Sequence, residues 1–198
     1  MEPERDLELE WKLESECESI PKLELEPERE LLMATEIERK FTVLNDEWRR
    51  CVTGTWLIKQ GYLTSGTEPT VRVRIVAAPG GTVRHTLTIK GAANGISRPE
   101  FEFAIPGGDA LEMMGMCGGR IVKKLRHFAP SSLSGRAWEI DEFTEGHSGL
   151  VLAEIELDAP DQEVRLPEWV GSEVSNDPRY SNRSLAQHGL ELLPRRAK

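Results

Sequence analysis

Charged side chains at every second residue are the feature of this sequence best suited to chemistry. Glu36, Glu38 and Lys40 show this spacing, and Lys90 follows two threonines in the same way. In a β-strand, residues two positions apart point to the same face of the sheet. The charged residues with this spacing are Glu36, Glu38, Lys40, Arg72, Arg74, Lys90, Glu100, Glu102, Lys124, Arg126, Glu139, Asp141, Glu154 and Glu156. Eight carboxylates and six cations would share one site if these faces meet.

The chemistry that such a site favours is metal-assisted phosphoryl transfer. Neighbouring carboxylates repel one another unless a cation lies between them, and oxygen ligands favour the hard cations Mg²⁺ and Mn²⁺. Lysine and arginine suit a compact polyanion, because arginine grips phosphate oxygens in pairs and lysine acts as a point charge. The four histidines fall on apolar faces or in loops, which argues against zinc. The sequence shows neither a glycine-rich phosphate-binding loop nor a catalytic-triad spacing.

The elements that must position these residues are strands, because the dominant period from Thr35 onward is two. Eight strands are predicted, at 35–43, 57–64, 70–77, 83–90, 97–104, 121–128, 136–144 and 151–158. A short helix is predicted over 109–117, with Asp109 as its N-cap. A charged face on a single strand is ordinarily solvated, but these charges are sorted by sign from strand to strand. We therefore predict a mainly β fold: an eight-stranded antiparallel barrel with a polar, charged lumen and flanking short helices.

Composition divides the chain into an acidic extension and a nearly neutral body. The 198 residues carry a formal net charge of −9. Residues 1–32 hold 12 acidic and four basic side chains, which leaves −1 for the remainder. We predict a disordered, low-complexity extension over 1–32, one domain over 33–193 and a basic tail over 194–198. The extension is interpreted as a solvated appendage or an acidic interaction tail, and a natural start at Met33 is a third interpretation.

Composition also limits the compartment and the partners. Three scattered cysteines predict neither a disulfide framework nor a metal knuckle, so a reducing, cytoplasmic location is expected. No segment approaches the roughly 20 apolar residues that a membrane-spanning helix needs. An acidic chain also repels nucleic acid. Neither a membrane nor nucleic acid is therefore expected as a partner. The sequence does not decide between a monomer and a homodimer.

An ordered set of motifs resembles a known family. Glu36 to Lys40 reads ExExK, the signature that opens CYTH domains, the triphosphate tunnel metalloenzymes. Matching segments follow as QGYL at 60–63, VRVR at 71–74, LTIK at 87–90, SRPEFE at 97–102, VKKLR at 122–126, WEID at 138–141, GLVLAEIE at 149–156 and WVGSEV at 169–174. The resemblance covers roughly residues 34–190 and is greatest to short bacterial members, several of which act as inorganic triphosphatases.

The resemblance implies a tunnel that binds triphosphate with Mg²⁺ or Mn²⁺, and it assigns roles by position. The implied metal ligands are Glu36, Glu38, Glu154 and Glu156. The implied phosphate-binding residues are Lys40, Arg72, Arg74, Lys90, Lys124 and Arg126. Lys40 and Tyr62 are implied to activate water, and Lys124 with Arg126 to stabilise the leaving group; Tyr62 has a plain alternative as a core or rim aromatic. Three roles are open for a further set of acidic residues: they orient the cations, hold a second metal or form structural ion pairs. These residues are Glu100, Glu102, Glu139 and Asp141.

The expected function is hydrolysis of inorganic triphosphate to diphosphate and phosphate. An organic triphosphatase, acting on thiamine triphosphate or nucleotides, and a class IV-type adenylyl cyclase are alternatives within the same fold. A non-catalytic polyphosphate-binding module is the alternative from another class, against which the paired carboxylates argue. Pro178 stands where relatives often carry lysine, so it is expected to alter the closing segment or a substrate contact, with Arg179 as a compensating cation.

Overall fold

The computed structural model describes residues 34–66 and 68–193 of the chain. The predictions made for the acidic extension over 1–32 and for the basic tail over 194–198 lie outside the described residues. No helix in the described ranges is long and apolar enough to cross a membrane.

Within these ranges the fold is a single antiparallel sheet with short helices. The strands are β1 (Ala34–Val43), β2 (Gly54–Tyr62), β3 (Thr70–Ala77), β4 (Val83–Lys90), β5 (Ser97–Ala104), β6 (Ile121–Pro130), β7 (Ala137–Thr144), β8 (Val151–Glu156) and β9 (Val170–Glu173). The helices are α1 (Gly107–Met116) and α2 (Asn182–His188), with 3₁₀ turns at Glu47–Cys51 and Pro178–Tyr180.

Eight of the strands close into a barrel, which confirms the predicted fold. The strand order is β5-β4-β3-β2-β6-β7-β8-β1, and β1 pairs back onto β5. β1 closes the ring because its two halves have different partners: Ile37 lies opposite Ser97 of β5, whereas Lys40 lies opposite Glu154 of β8. β9 adds a ninth strand outside the ring, across β1 from β8.

Much of the apolar outer face of the barrel is covered, so the charged face can point inward, although Leu57, Val83 and Phe103 are about half exposed. Around β1, β7 and β8 the cover is aromatic. Trp138 packs edge-on against Phe41 and Trp169, with ring centroids 5.7 and 5.5 Å away, and Trp48 of the first 3₁₀ turn is fully buried in the same cluster. Around β3, α1 supplies the cover through residues such as Met114. The burial of these large side chains fixes which strand face meets water.

One end of the lumen is filled by apolar side chains. Val122, Phe143 and Leu152 share the phase of the inward-pointing charged residues, and they form a buried cluster with Tyr180 and with Leu185 of α2. α2 therefore closes this end, and the charged part of the lumen lies above it.

The predicted boundaries differ from the structure by one to three residues at several elements, of which α1 and β2 show the largest differences at their starts. α1 begins at Gly107, with Pro106 at the N-cap and Asp109 inside the first turn, because proline at φ −59° suits a helix start. β2 begins at Gly54 rather than at 57, since its first residues pair with β6. β9 and the 3₁₀ turn at Glu47–Cys51 were not predicted.

Candidate active site

The barrel encloses a cavity of about 470 Å³ between its charged strands. The predicted site residues that line it are Glu36, Glu38, Lys40, Tyr62, Arg72, Arg74, Lys90, Glu100, Glu102, Arg126, Glu139, Glu154 and Glu156. Strand register brings them together, because directly opposed residues on neighbouring strands share a face. The spacing in the sequence therefore translates into one polyionic chamber.

Glu36 is held by two cations at one side of the cavity. Its carboxylate accepts from Lys90 Nζ at 2.6 and 2.7 Å and from Arg98 Nε at 2.7 Å. Lys90 Nζ also lies 2.9 Å from Glu100 Oε2. Arg98 also lines the cavity, yet it was not among the predicted site residues. Its position two residues before Glu100 is the signal that would have found it.

Glu154 is also held by two cations of the chamber. It lies 2.9 Å from Lys40 Nζ and 2.7 Å from Arg126 Nη2. Burial alone would raise the pKa of Glu154, but the charges of Lys40, Arg126 and Lys124 hold that pKa well below its ordinary value. Burial likewise works to lower the pKa of Lys40, but Glu154 and Glu38 outweigh it and the pKa is raised. Lys40 therefore keeps its proton at neutral pH.

Lys124 and Asp141 lie behind the cavity wall, and both side chains are fully buried. Lys124 Nζ donates to Asp141 and, at 3.2 Å, to Asn182 Oδ1 of α2. Asp141 also accepts two 2.7 Å hydrogen bonds from Arg126. Burial and the Arg126 charge lower the pKa of Lys124 to about 8. In this arrangement Lys124 supports Arg126 and α2, and its contact with substrate stays a prediction.

Arg74 lines the cavity without a carboxylate partner in the described ranges. Among the described residues no carboxylate lies within ion-pair distance of it, and its Nε donates to Gln60 Oε1 at 3.2 Å. Burial lowers the pKa of Arg74 to about 10, and the charges of Arg72 and Arg126 act in the same direction. Among the described residues, Arg72 Nε and Thr86 Oγ1 are buried without a hydrogen-bond partner, although Arg72 Nη2 lies 3.5 Å from Glu100 Oε1 and from Glu102 Oε2. Arg74 and these two atoms lie on the neighbouring strands β3 and β4.

Near β8 carboxylates lie directly opposite one another, although each also has a cation within ion-pair distance. Glu38 lies opposite Glu156, and Glu139 lies opposite Glu154. Like charges in directly opposed positions destabilise a sheet. Burial raises the pKa of Glu139, and Glu154 adds to the rise against the opposing effect of Arg126.

The donor chemistry of these acids fits a divalent cation with oxygen ligands. In the described residues no three acidic, histidine or cysteine side chains converge as a ready-made metal site. The reason is that Lys40, Lys90 and Arg98 hold the carboxylates at present. Metal ligation by Glu36, Glu38, Glu154 and Glu156 therefore stays a prediction.

Tyr62 and the C-terminal segment complete the cavity wall. Tyr62 is buried, it lines the cavity, and burial raises its pKa, so the phenol keeps its proton. Pro178 lines the cavity as well. Arg179 does not line it; its guanidinium binds Asp177 at 2.5 Å. Ser175, a further lining residue that sequence reasoning missed, accepts from the Lys40 backbone N–H at 2.9 Å.

Comparison with known proteins identifies close relatives, although no protein-family model matches the chain. The inorganic triphosphatase of Acetivibrio thermocellus is 40% identical over 157 residues, which span 79% of this chain and 96% of that protein. The inorganic triphosphatase of Nitrosomonas europaea is 35% identical over 156 residues, 77% of this chain and 97% of that protein. A crystal structure of an inorganic triphosphatase matches with a TM-score of 0.54 and 32% identity, over 78% of this chain and 95% of the other.

Proposed function

The chain belongs to the triphosphate tunnel metalloenzymes, the CYTH family, and from this premise we propose that it hydrolyses inorganic triphosphate to diphosphate and phosphate inside its barrel. The observation that carries the proposal is the uneven distribution of charge in the cavity. In the described ranges Arg74 has no carboxylate within ion-pair distance, whereas near β8 carboxylates lie directly opposite one another. A triphosphate would supply an anion to Arg74, and a divalent cation bound with it would reduce the repulsion between the opposed carboxylates.

The cationic residues of the cavity bind and orient the substrate in this scheme. Arg72 and Arg74 grip the phosphate oxygens with hydrogen bonds to charged groups, which are stronger than neutral ones. Lys40 and Tyr62 both keep their protons, which favours hydrogen-bond donation to phosphate oxygens over removal of a proton from water. Arg126, which Asp141 and Glu154 hold in place, stabilises negative charge on the leaving diphosphate.

The cation proposed for the site is Mg²⁺ or Mn²⁺, held by Glu36, Glu38, Glu154 and Glu156. When bound, such an ion would neutralise phosphate charge and lower the pKa of a coordinated water. Because lysines and arginines now occupy these carboxylates, the triphosphate would draw the cations toward itself and free the carboxylates. We therefore expect metal and triphosphate to strengthen each other's binding.

The lining of the cavity favours an inorganic substrate over an organic one. Its apolar contributors in the described ranges are small or isolated, such as Ala93, Ile96 and Val174, and Tyr62 is its aromatic residue. A nucleotide base or a thiamine ring would need a broader apolar or aromatic surface. A module that only binds polyphosphate would need the cations but not the opposed carboxylates.

A phosphate-release panel tests the proposed function. The substrates are inorganic triphosphate, ATP, thiamine triphosphate and long-chain polyphosphate, each with Mg²⁺, Mn²⁺ or Ca²⁺. We expect release from triphosphate to exceed release from the two organic substrates. Comparable rates on ATP would favour an organic triphosphatase, and tight binding without any release would favour the binding module.

A further inference from the structure

Gln60 is a fully buried amide in the wall of the charged lumen, and the scheme above gives it no role. It lies on β2 in the same phase as Tyr62 and directly opposite Arg74 of β3. Gln60 Oε1 accepts from Arg74 Nε at 3.2 Å, and Gln60 Nε2 donates to Tyr62 Oη at 3.0 Å. An arginine can only donate, so the contact with Arg74 fixes which end of the amide faces each neighbour.

This orientation determines what the Tyr62 hydroxyl can do. A phenol has one hydrogen, and its oxygen is already used as an acceptor from Gln60 Nε2. No acceptor for that hydrogen is found within residues 34–66 and 68–193, and Tyr62 lines the cavity. The hydroxyl is thus free to donate to a ligand that occupies the chamber.

We infer that Gln60 is a positioning residue, which couples Arg74 to Tyr62 and keeps the Tyr62 hydroxyl available as a hydrogen-bond donor to a phosphate oxygen of the substrate. This inference rests on the proposed function. The Gln60 amide does not touch the phosphate. It keeps the Tyr62 hydroxyl from donating its hydrogen bond to a group in the barrel wall. The donated bond gains strength as negative charge grows on the phosphate oxygens, so its loss affects turnover more than substrate binding.

The direction of the Gln60–Tyr62 bond distinguishes this role from packing alone. Gln60→Met keeps the length of the side chain but removes both hydrogen bonds. Gln60→Glu retains an acceptor for Arg74 but removes the donor to Tyr62, so the phenol would donate into the wall. Both variants leave the strand pairing of β2 with β3 and β6 in place.

A double-mutant cycle with Tyr62→Phe tests the coupling. The steady-state kcat and KM for inorganic triphosphate are measured for the wild type, Gln60→Met, Gln60→Glu, Tyr62→Phe and the two double variants. Unfolding temperature reports on folding, and Gln162→Glu, at a half-buried position outside the cavity lining, is the control. We expect each Gln60 variant to lose about tenfold to a hundredfold in kcat with a smaller change in KM. In the Tyr62→Phe background the Gln60→Met change should have less than about a threefold further effect, because the donor is already gone.

Two results would overturn the inference. One is a wild-type kcat in Gln60→Met, and the other is an equal loss from Gln60→Met with and without the Tyr62 hydroxyl. If Gln60→Met does not fold, Gln60→Glu is compared in the two backgrounds in the same way. If the wild type releases no phosphate, the proposed function is refuted, and the role of Gln60 with it. If the wild type is active and Gln60→Met has the same kcat, only the coupling of Gln60 to Tyr62 is refuted.

Discussion

Arg126 and Arg74 both point into the lumen, but among the residues that the structure describes, carboxylates surround only the first. Arg126 is surrounded by Asp141, Glu139 and Glu154, and these carboxylates raise its pKa against the effect of burial. Arg74 has no carboxylate within ion-pair distance in the described ranges, and its pKa is lowered. Arg126 is therefore fixed in place by buried ion pairs, whereas Arg74 can bind an anion that the described residues do not provide.

Arg74→Met should weaken triphosphate binding without loss of stability. A hydrogen bond to a charged partner contributes about 1.5–3 kcal/mol, so affinity should fall roughly tenfold to a hundredfold. The free energy of unfolding should change little, because removal of a desolvated charge without a carboxylate partner offsets the hydrogen bond that Gln60 Oε1 loses. Calorimetric titration with triphosphate and urea unfolding measure the two effects.

Arg126→Met is the matched control for Arg74→Met. It leaves the buried Asp141 and Glu154 without one of their cationic partners, and breaking a buried pair in this way costs about 3–5 kcal/mol of stability. If Arg74→Met destabilised the protein as much as Arg126→Met, the claim that only Arg126 of these two arginines has buried ion pairs that stabilise the fold would be wrong.

At the scale of elements, the contact between β2 and α1 places Tyr62 and Gln60. Gly61 lies between these two residues and faces outward against the helix. A Cβ at this position would lie 2.5 Å from Cys117 Sγ, 2.9 Å from Met114 Sδ and 3.1 Å from Cys117 Cβ. Only glycine allows the helix to pack this closely on the strand.

Gly61→Ala should push α1 away from β2 and lower the stability of the fold. Overpacking of this kind typically costs about 1–3 kcal/mol, which thermal unfolding would detect. Gly115→Ala is the control, because nothing lies within 4 Å of a Cβ there and alanine favours helix. Equal unfolding temperatures for Gly61→Ala and the wild type would contradict the tight contact.

Sequence periodicity was sufficient to predict the barrel, but it did not predict which inward-pointing residues reach the cavity. The alternation of charged and apolar positions predicts the eight strands and the inward charged face, because the pleat has a period of two. Lys124 and Arg126 share that period, yet Arg126 reaches the cavity and Lys124 lies behind its wall. The difference arises from Phe143 and α2, which fill one end of the lumen, and no local pattern encodes that contact.

The elements missed by sequence reasoning depend on distant partners in the same way. β9 has four residues and exists because Val170 pairs with Val43 of β1. The first 3₁₀ turn is defined by Trp48, which is buried against the outer faces of other strands. Arg98 and Gln60 were within reach of the spacing rule, but Gln60 carries no charge to mark it.

At the scale of the whole molecule, the net charge describes the extension and the internal arrangement describes the site. The formal net charge is −9, and residues 1–32 account for most of it. Inside the barrel, acids and bases are almost balanced and pair with one another. This internal network makes the stability of the metal-free protein depend on pH.

Asp141 should make the folded state sensitive to acid. Burial would raise the pKa of Asp141, but Arg126 and Lys124 hold it below its ordinary value of 3.8. The stabilisation is therefore complete above about pH 4 and is lost as the pH falls through the lowered pKa, because the unfolded chain then binds more protons. Urea unfolding in chelator from pH 7 to pH 3 should show a shallower acid decline for Asp141→Asn than for the wild type. Asp161→Asn, on the exposed surface, is the control; parallel declines for the wild type and Asp141→Asn would exclude this role.

The most direct measurement is phosphate release from inorganic triphosphate as a function of Mg²⁺ or Mn²⁺ concentration, from excess chelator upward, for the wild type and for Glu38→Gln. We expect no turnover in chelator and a steep rise with either cation for the wild type. Glu38→Gln removes one member of an opposed carboxylate pair, so it should need more cation and turn over more slowly. Undiminished release in chelator, or a wild-type cation response in Glu38→Gln, would contradict a chamber built to take a cation and a triphosphate together.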